Sequence, residues 1–203
     1  MKLVFDTETT GLARFDLPLN HPSQPNIVQL GMLILDEKDE IVNEVGLLIK
    51  PEGFIISAEM TAIHGVSQER AEKYGVRIKF AIELYLHFFK CCDIIIGHNL
   101  KFDKFLIDCE LSRLNVAGNG NYIKSEFCTM LTTTPIMNLT QKNGRPKWPK
   151  LSECYSYFFN EPLIDAHDAL TDVRACARVY KHLINPISTL PKAPAPLHHL
   201  SLP

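Results

Sequence analysis

MKLVFDTETTGL, residues 1–12, is the stretch from which the rest of the chain can be read. Leu3-Val4-Phe5 has the apolar character of a buried strand. Two acids follow, Asp6 and Glu8, with Thr7 between them, and then Thr9-Thr10-Gly11, a turn. Residues i and i+2 of a strand share one face, so Asp6 and Glu8 point the same way. Like charges held together at the end of a buried strand raise the free energy of the site unless something positive sits between them.

Outward from this stretch, IVQLGMLIL (27–35) and IVNEVGLLIK (41–50) read as two more strands, with DEKDE (36–40) as the polar hairpin turn between them. Residues 13–26, rich in Pro and Asn, read as a long surface loop of the kind that often carries function. Beyond Pro51 the pattern becomes helical. SAEMTAIH (57–64) starts on a Ser N-cap and stops before Gly65, and SQERAEKYG (67–75) is similar. IKFAIELYLHFFKCC (78–92) is apolar at helical spacing. DIIIGHN (93–99) reads as a central strand ending in polar residues, and LKFDKFLIDCELSRLN (100–115) as an amphipathic helix. A Gly/Asn-rich stretch then leads to a last strand, SEFCTM (125–130), and to a loop over 139–150. Two helices follow, 151–159 and 169–184.

Pro186, Pro191, Pro194 and Pro196 stop both helix and sheet. We therefore expect one domain over residues 1–185 and an extended tail over 186–203. Strands first, then helices interleaved with further strands, predict an α/β layer structure.

The formal net charge of -2 excludes the general nucleic-acid affinity of a strongly basic protein, so any such contact must come from a local basic patch or from metal ions. The six cysteines show neither C-x-x-C nor zinc spacing and read as reduced core thiols of a cytoplasmic protein. Neither a signal peptide nor an apolar run long enough to span a membrane is evident.

Two more acids lie where Asp6 and Glu8 lie, at element termini. Asp103 is in HNLKFD (98–103), one turn past the fourth strand; Asp172 is in HDALTDV (167–173), near the start of the last helix. Four carboxylates converging on one sheet edge suit a pair of hard divalent ions, Mg²⁺ or Mn²⁺ rather than zinc. Two such ions about 4 Å apart activate water and stabilise a leaving oxygen in phosphodiester cleavage. His167, five residues before Asp172, is placed to act as general base for that water. Taken singly, each acid also fits a solvated surface position, and His167-Asp168 also fits a helix N-cap. The combination and its order carry the reading.

FDTETTG with Asp6 and Glu8, GHNLKFDKFL with Asp103, and HDALTD with His167 and Asp172 together resemble the DEDDh family of 3′→5′ exonucleases, which includes the proofreading subunit of bacterial replicative polymerases. IHGVS (63–67) and IVQLG (27–31) resemble its intervening segments, so the likeness covers about residues 1–183. The sister subgroup carries Tyr four residues before the last Asp; here Asp168 stands there and His lies at five.

The resemblance implies a ribonuclease H-like fold, with a mixed sheet of about five strands flanked by helices. It implies two divalent cations held by Asp6, Glu8, Asp103 and Asp172, with His167 as base. Nucleoside 5′-monophosphates would leave one at a time from the 3′ end of a single-stranded or frayed nucleic acid. It further matches Thr9, Thr10, Gly11 and Leu12 to the turn that meets the terminal nucleotide, and places His64, Asn99 and Phe102 at substrate positions.

Beyond the motifs, QKNGRPKWPK (141–150) carries four basic residues, no acid and the chain's single Trp. Lys142, Arg145 and Lys147 suit phosphates, and Trp148 suits base stacking or docking on the core. The expected activity is on DNA, in proofreading or repair, with a polymerase as candidate partner. The same chemistry on RNA ends is one alternative. A non-catalytic nucleic-acid-binding module that recruits partners through its Pro-rich tail is the other.

Overall fold

The first strand, β1 (Lys2–Thr9), extends well past its apolar run and carries Asp6, Thr7 and Glu8 inside the strand itself. Its antiparallel neighbour β2 (Ile27–Leu35) explains the length, pairing from Lys2↔Leu35 to Thr9↔Ile27 with an irregularity between Glu8 and Thr9. On its other side β1 pairs in parallel with β4 (Ile94–Gly97), and only over Lys2–Val4. Beyond Val4 that side of β1 is open, and this is where the acids sit.

The computed structural model describes residues 1–116 and 124–185. The Gly/Asn-rich residues 117–123 and the expected tail, 186–203, lie outside the described residues. One mixed sheet has the order β3-β2-β1-β4-β5, with β3 (Ile41–Leu48) and β5 (Ser125–Cys128) at its edges. The β1–β2 and β2–β3 pairs are antiparallel; β1–β4 and β4–β5 are parallel.

Six of the seven helices fall where the patterning placed them. They are α1 (Ala58–His64), α2 (Gln68–Tyr74), α3 (Ile78–Cys91), α4 (Leu100–Arg113), α6 (Leu151–Phe159) and α7 (Ala169–Ile184). Ser57 and Ser67 cap α1 and α2 through their side chains, and Gly65 closes α1 in the left-handed region at φ 70°. One face of the sheet packs Leu3, Phe5, Leu30 and Met32 against α3 and α4. The other packs Val4, Leu33, Leu35 and Ile96 against α7. This alternation is the period of two expected of a sheet buried on both faces.

The structure corrects the last strand. It ends at Cys128 rather than residue 130, and Thr129 begins α5 (Thr129–Met137), a helix the sequence did not suggest. Threonine and proline are poor helix formers, and α5 contains Pro135. Here Thr132, Thr133 and Thr134 each donate their hydroxyl to the carbonyl four residues back, so the side chains that compete with the helix are absorbed by it.

The 13–26 loop is built around Gln24, which is 2% exposed. Its side-chain oxygen accepts the Arg14 N–H, and its amide donates to the carbonyls of Arg14, Leu17 and Pro18. From α4, Arg113 donates to the carbonyls of Gln24 and Pro25 and pairs with Glu110. Among the described residues no helix is long and apolar enough to cross a membrane.

Candidate active site

A cavity of about 760 Å³ opens beside the unpaired half of β1. Asp6, Glu8, Asp103, His167 and Asp172 all line it, from β1, from the first turn of α4 and from the start of α7. Ligand atoms of Glu8, His167 and Asp172 come within 4.8 Å of one another. Asp6 and Asp103 are outside that trio but interact with it electrostatically: the charges of Asp103, Asp172 and Glu8 raise Asp6, those of Asp172 and Asp103 raise Glu8, and that of Asp172 raises Asp103.

Asp103, 3% exposed, accepts both the backbone N–H (3.0 Å) and the hydroxyl (2.8 Å) of Thr7 through one carboxylate oxygen. The Thr7 N–H is available because β4 has ended, so the tie between α4 and β1 follows from the short parallel pairing. Asp172 accepts the backbone N–H of His167 at 3.1 Å through Oδ2. Its Oδ1 is buried with no partner among the described residues.

These acids are held against their ordinary charge state. Burial first, then the charges of Asp103, Asp172 and Glu8, holds the Asp6 carboxyl well above the usual carboxylate range. Burial, with Asp172 and Asp103 behind it, pushes Glu8 up to about 8. Burial raises Asp103 to about 7 against the opposing hydrogen bonds from Thr7, and Asp172 to about 6 against the His167 N–H. Desolvation and like-charge repulsion act in the same direction. A buried carboxylate oxygen without a donor, in a group of acids that repel, is the donor set hard divalent cations take. The residues fit such ions.

His167 sits at φ 71°, a left-handed conformation uncommon for a side chain of this size. It lies just before the α7 N-cap Asp168, whose Oδ1 accepts the Thr171 N–H at 3.0 Å. Asp168 thus caps the helix, and His167 is exposed at the cavity wall.

The start of α7 is fixed by two residues the sequence reading did not single out. Gln29 donates from its amide to Asp168 Oδ2 (2.8 Å) and accepts the Ala169 N–H (3.2 Å). Gly31 lets the helix approach: a Cβ there would stand 2.2 Å from the Ala169 carbonyl oxygen. The available signals were a polar side chain in an otherwise apolar strand and a glycine in a strand interior. Gly31→Ala meets backbone that cannot rotate away. It is expected to cost about 1–3 kcal/mol of stability, read as a melting temperature lower by roughly 3–10 °C.

The expected substrate positions divide. Thr9, Gly11, Leu12, His64, Asn99, Phe102 and Trp148 line the cavity. Leu12 is 84% exposed. Phe102 packs against the core as well as lining the cavity. The Thr9 hydroxyl donates to the Gly11 carbonyl (2.7 Å), and Thr10 Oγ1 accepts the Asn26 N–H (2.9 Å), so both build the turn. Thr10, Lys142, Arg145 and Lys147 do not line the cavity, and Lys147 pairs with Glu153. His64 is buried; its Nδ1 accepts the Val66 N–H at 3.1 Å, leaving Nε2 as a donor with no partner among the described residues. Burial, then proximity to His167, lowers its pKa.

A mixed sheet of order β3-β2-β1-β4-β5 flanked by helices is a ribonuclease H-like fold. The model of the Exonuclease (RNase_T) family matches residues 3–180, and the chain belongs to that family. DNA polymerase III subunit epsilon of Buchnera aphidicola subsp. Baizongia pistaciae is 27% identical over 184 residues, covering 88% of this chain and 69% of that protein. The same subunit of subsp. Acyrthosiphon pisum is 25% identical over 179 residues, covering 88% and 70%. E. coli exonuclease I in complex with a dT13 oligonucleotide superposes with a TM-score of 0.70 at 17% identity, over 91% of this chain. The chain spans only 41% of that exonuclease I chain, a likeness of fold.

Proposed function

We propose that this chain is a divalent-metal-dependent 3′→5′ exonuclease that removes nucleoside 5′-monophosphates one at a time from single-stranded or frayed DNA ends. The observation that carries the reading is the meeting of Glu8, His167 and Asp172 within 4.8 Å, beside Asp6 and Asp103, in a member of an exonuclease family. Asp6, Glu8, Asp103 and Asp172 would hold two ions, Mg²⁺ or Mn²⁺. Bound there, such ions supply Lewis acidity toward the attacking water and the leaving oxygen.

The remaining steps belong to side chains of this chain. His167 accepts the proton of the attacking water, and its left-handed backbone and N–H bond to Asp172 aim the ring. Gly11 allows the backbone of the Thr9–Leu12 turn to approach the terminal nucleotide, and Leu12 offers an apolar face to its base. His64 Nε2 and Asn99 supply donors. Lys142 and Arg145, exposed on the loop before α6, meet the phosphates upstream. The epsilon relatives carry the name of a polymerase subunit, and a polymerase is the partner class we propose for replication or repair.

Matched single-stranded DNA and RNA oligomers with Mg²⁺ test the substrate. Faster shortening of DNA from its 3′ end is expected; equal or faster loss of RNA overturns the DNA assignment. His167→Ala is expected to lower kcat by about 10²–10⁴-fold, the usual worth of a positioned general base. An unchanged rate overturns its role.

A further inference from the structure

Trp148 is the chain's single tryptophan and is 67% exposed while lining the cavity that holds the carboxylates. An indole left this open gains little from the core, so its position must be set through its backbone. Two ties set it. Before it, the Lys147 N–H donates to the Leu139 carbonyl at 2.9 Å, and the Lys147 ammonium pairs with Glu153 on α6. After it, the Pro149 carbonyl stands 3.0 Å from His98 Nε2.

A carbonyl only accepts, so Nε2 carries the ring proton, and Nδ1 accepts the Thr129 hydroxyl at 2.9 Å. Burial lowers the His98 pKa and favours this neutral form. His98 directly follows β4, and Thr129, fully buried, opens α5. One imidazole thus joins the end of a central strand, the start of a helix and the residue after Trp148.

We propose that Trp148 is a pre-set stacking platform for a nucleobase of the bound strand, and that His98 is the positioning residue that sets it. The inference rests on the exonuclease reading above. Aromatic faces stack any base, which suits an enzyme that meets a new base after each cleavage. Both ring nitrogens of His98 bond to protein, so it acts through Trp148 and not on the substrate.

Trp148 is its own reporter. On an Asp6→Asn background, where the strand survives, titration with a dT oligonucleotide is expected to quench the tryptophan emission. In the otherwise unsubstituted protein, Trp148→Ala and His98→Ala are each expected to raise KM for that oligonucleotide about five- to tenfold. kcat is expected to change less than twofold. The double variant should be no worse than either single one, because the two act as a unit. His98→Gln, whose amide can still donate to the Pro149 carbonyl, should restore most of the affinity.

Binding without a change in emission overturns the platform. So does a Trp148→Ala variant with unaltered KM, a measurement that stands even where His98→Ala fails to fold. Effects of the two substitutions that add overturn the positioning role, as does a loss in His98→Ala confined to kcat. A protein that degrades no nucleic acid defeats the exonuclease reading itself, whereas an active protein with these negative results defeats only this inference.

Discussion

Asp6→Asn is expected to turn over DNA at least about 10³-fold more slowly and yet to melt at a higher temperature than the unsubstituted protein when EDTA is present. The two effects have one cause. Asp6 lies among Glu8, Asp103 and Asp172, and burial and those charges hold its carboxyl well above the usual range. The folded, metal-free protein therefore carries a free-energy cost at this site that bound cations would relieve. The amide keeps the shape without the charge, or the proton taken up to neutralise it, that the buried acid must carry, and it removes one of the proposed ligand oxygens. Stabilisation with loss of activity is the signature of a site under functional strain. Urea unfolding in EDTA beside a turnover assay measures both. A variant that is inactive and less stable under EDTA would mean that Asp6 is structural.

The second large effect joins pH to metal. In the unfolded chain carboxyls titrate near 4. In the folded, metal-free protein Glu8 stands at about 8, Asp103 at about 7 and Asp172 at about 6. Each then binds its proton more tightly folded than unfolded, so stability falls as pH rises from about 4 to about 8. The penalty is absent below that window and complete above it. Melting temperature in EDTA should therefore drop between pH 5 and pH 8. Mg²⁺ or Mn²⁺ at about a hundred times its dissociation constant adds about 2.7 kcal/mol, roughly 5–10 °C for a chain of this size. The gain should be largest at pH 8, where the ion does not compete with protons. Identical melting curves with and without metal across this range would contradict a cation site.

Most of the frame was legible in the sequence because local signals agreed with tertiary packing. The apolar runs at 27–35 and 94–97 are buried strands, and Ser57 and Ser67 cap helices. α5 was not legible, since its stability comes from hydroxyls turned back onto carbonyls rather than from propensity. The length of β1 was not legible either: Asp6 and Glu8 look like the end of a strand, yet β2 pairs with β1 through Glu8 and to Thr9.

At the site, the five acid and histidine positions could be named because motif order survives in one dimension. The devices that place them could not. Thr7 holding Asp103, Gln29 and Gly31 seating α7, and His98 bonding Pro149 are contacts between residues far apart in the chain. Trp148 shows the same limit, because only the fold decides between a docked indole and one facing the cavity.

The central claim is that these acids and His167 make a metal-dependent exonuclease acting from the 3′ end, and a 5′-labelled single-stranded DNA oligomer tests it most directly. With Mg²⁺ the label should step down a ladder one nucleotide at a time, with nucleoside 5′-monophosphate released. The ladder should vanish with EDTA or in His167→Ala. Shortening that persists in EDTA, a label released first as a mononucleotide, or no shortening at all would contradict the account.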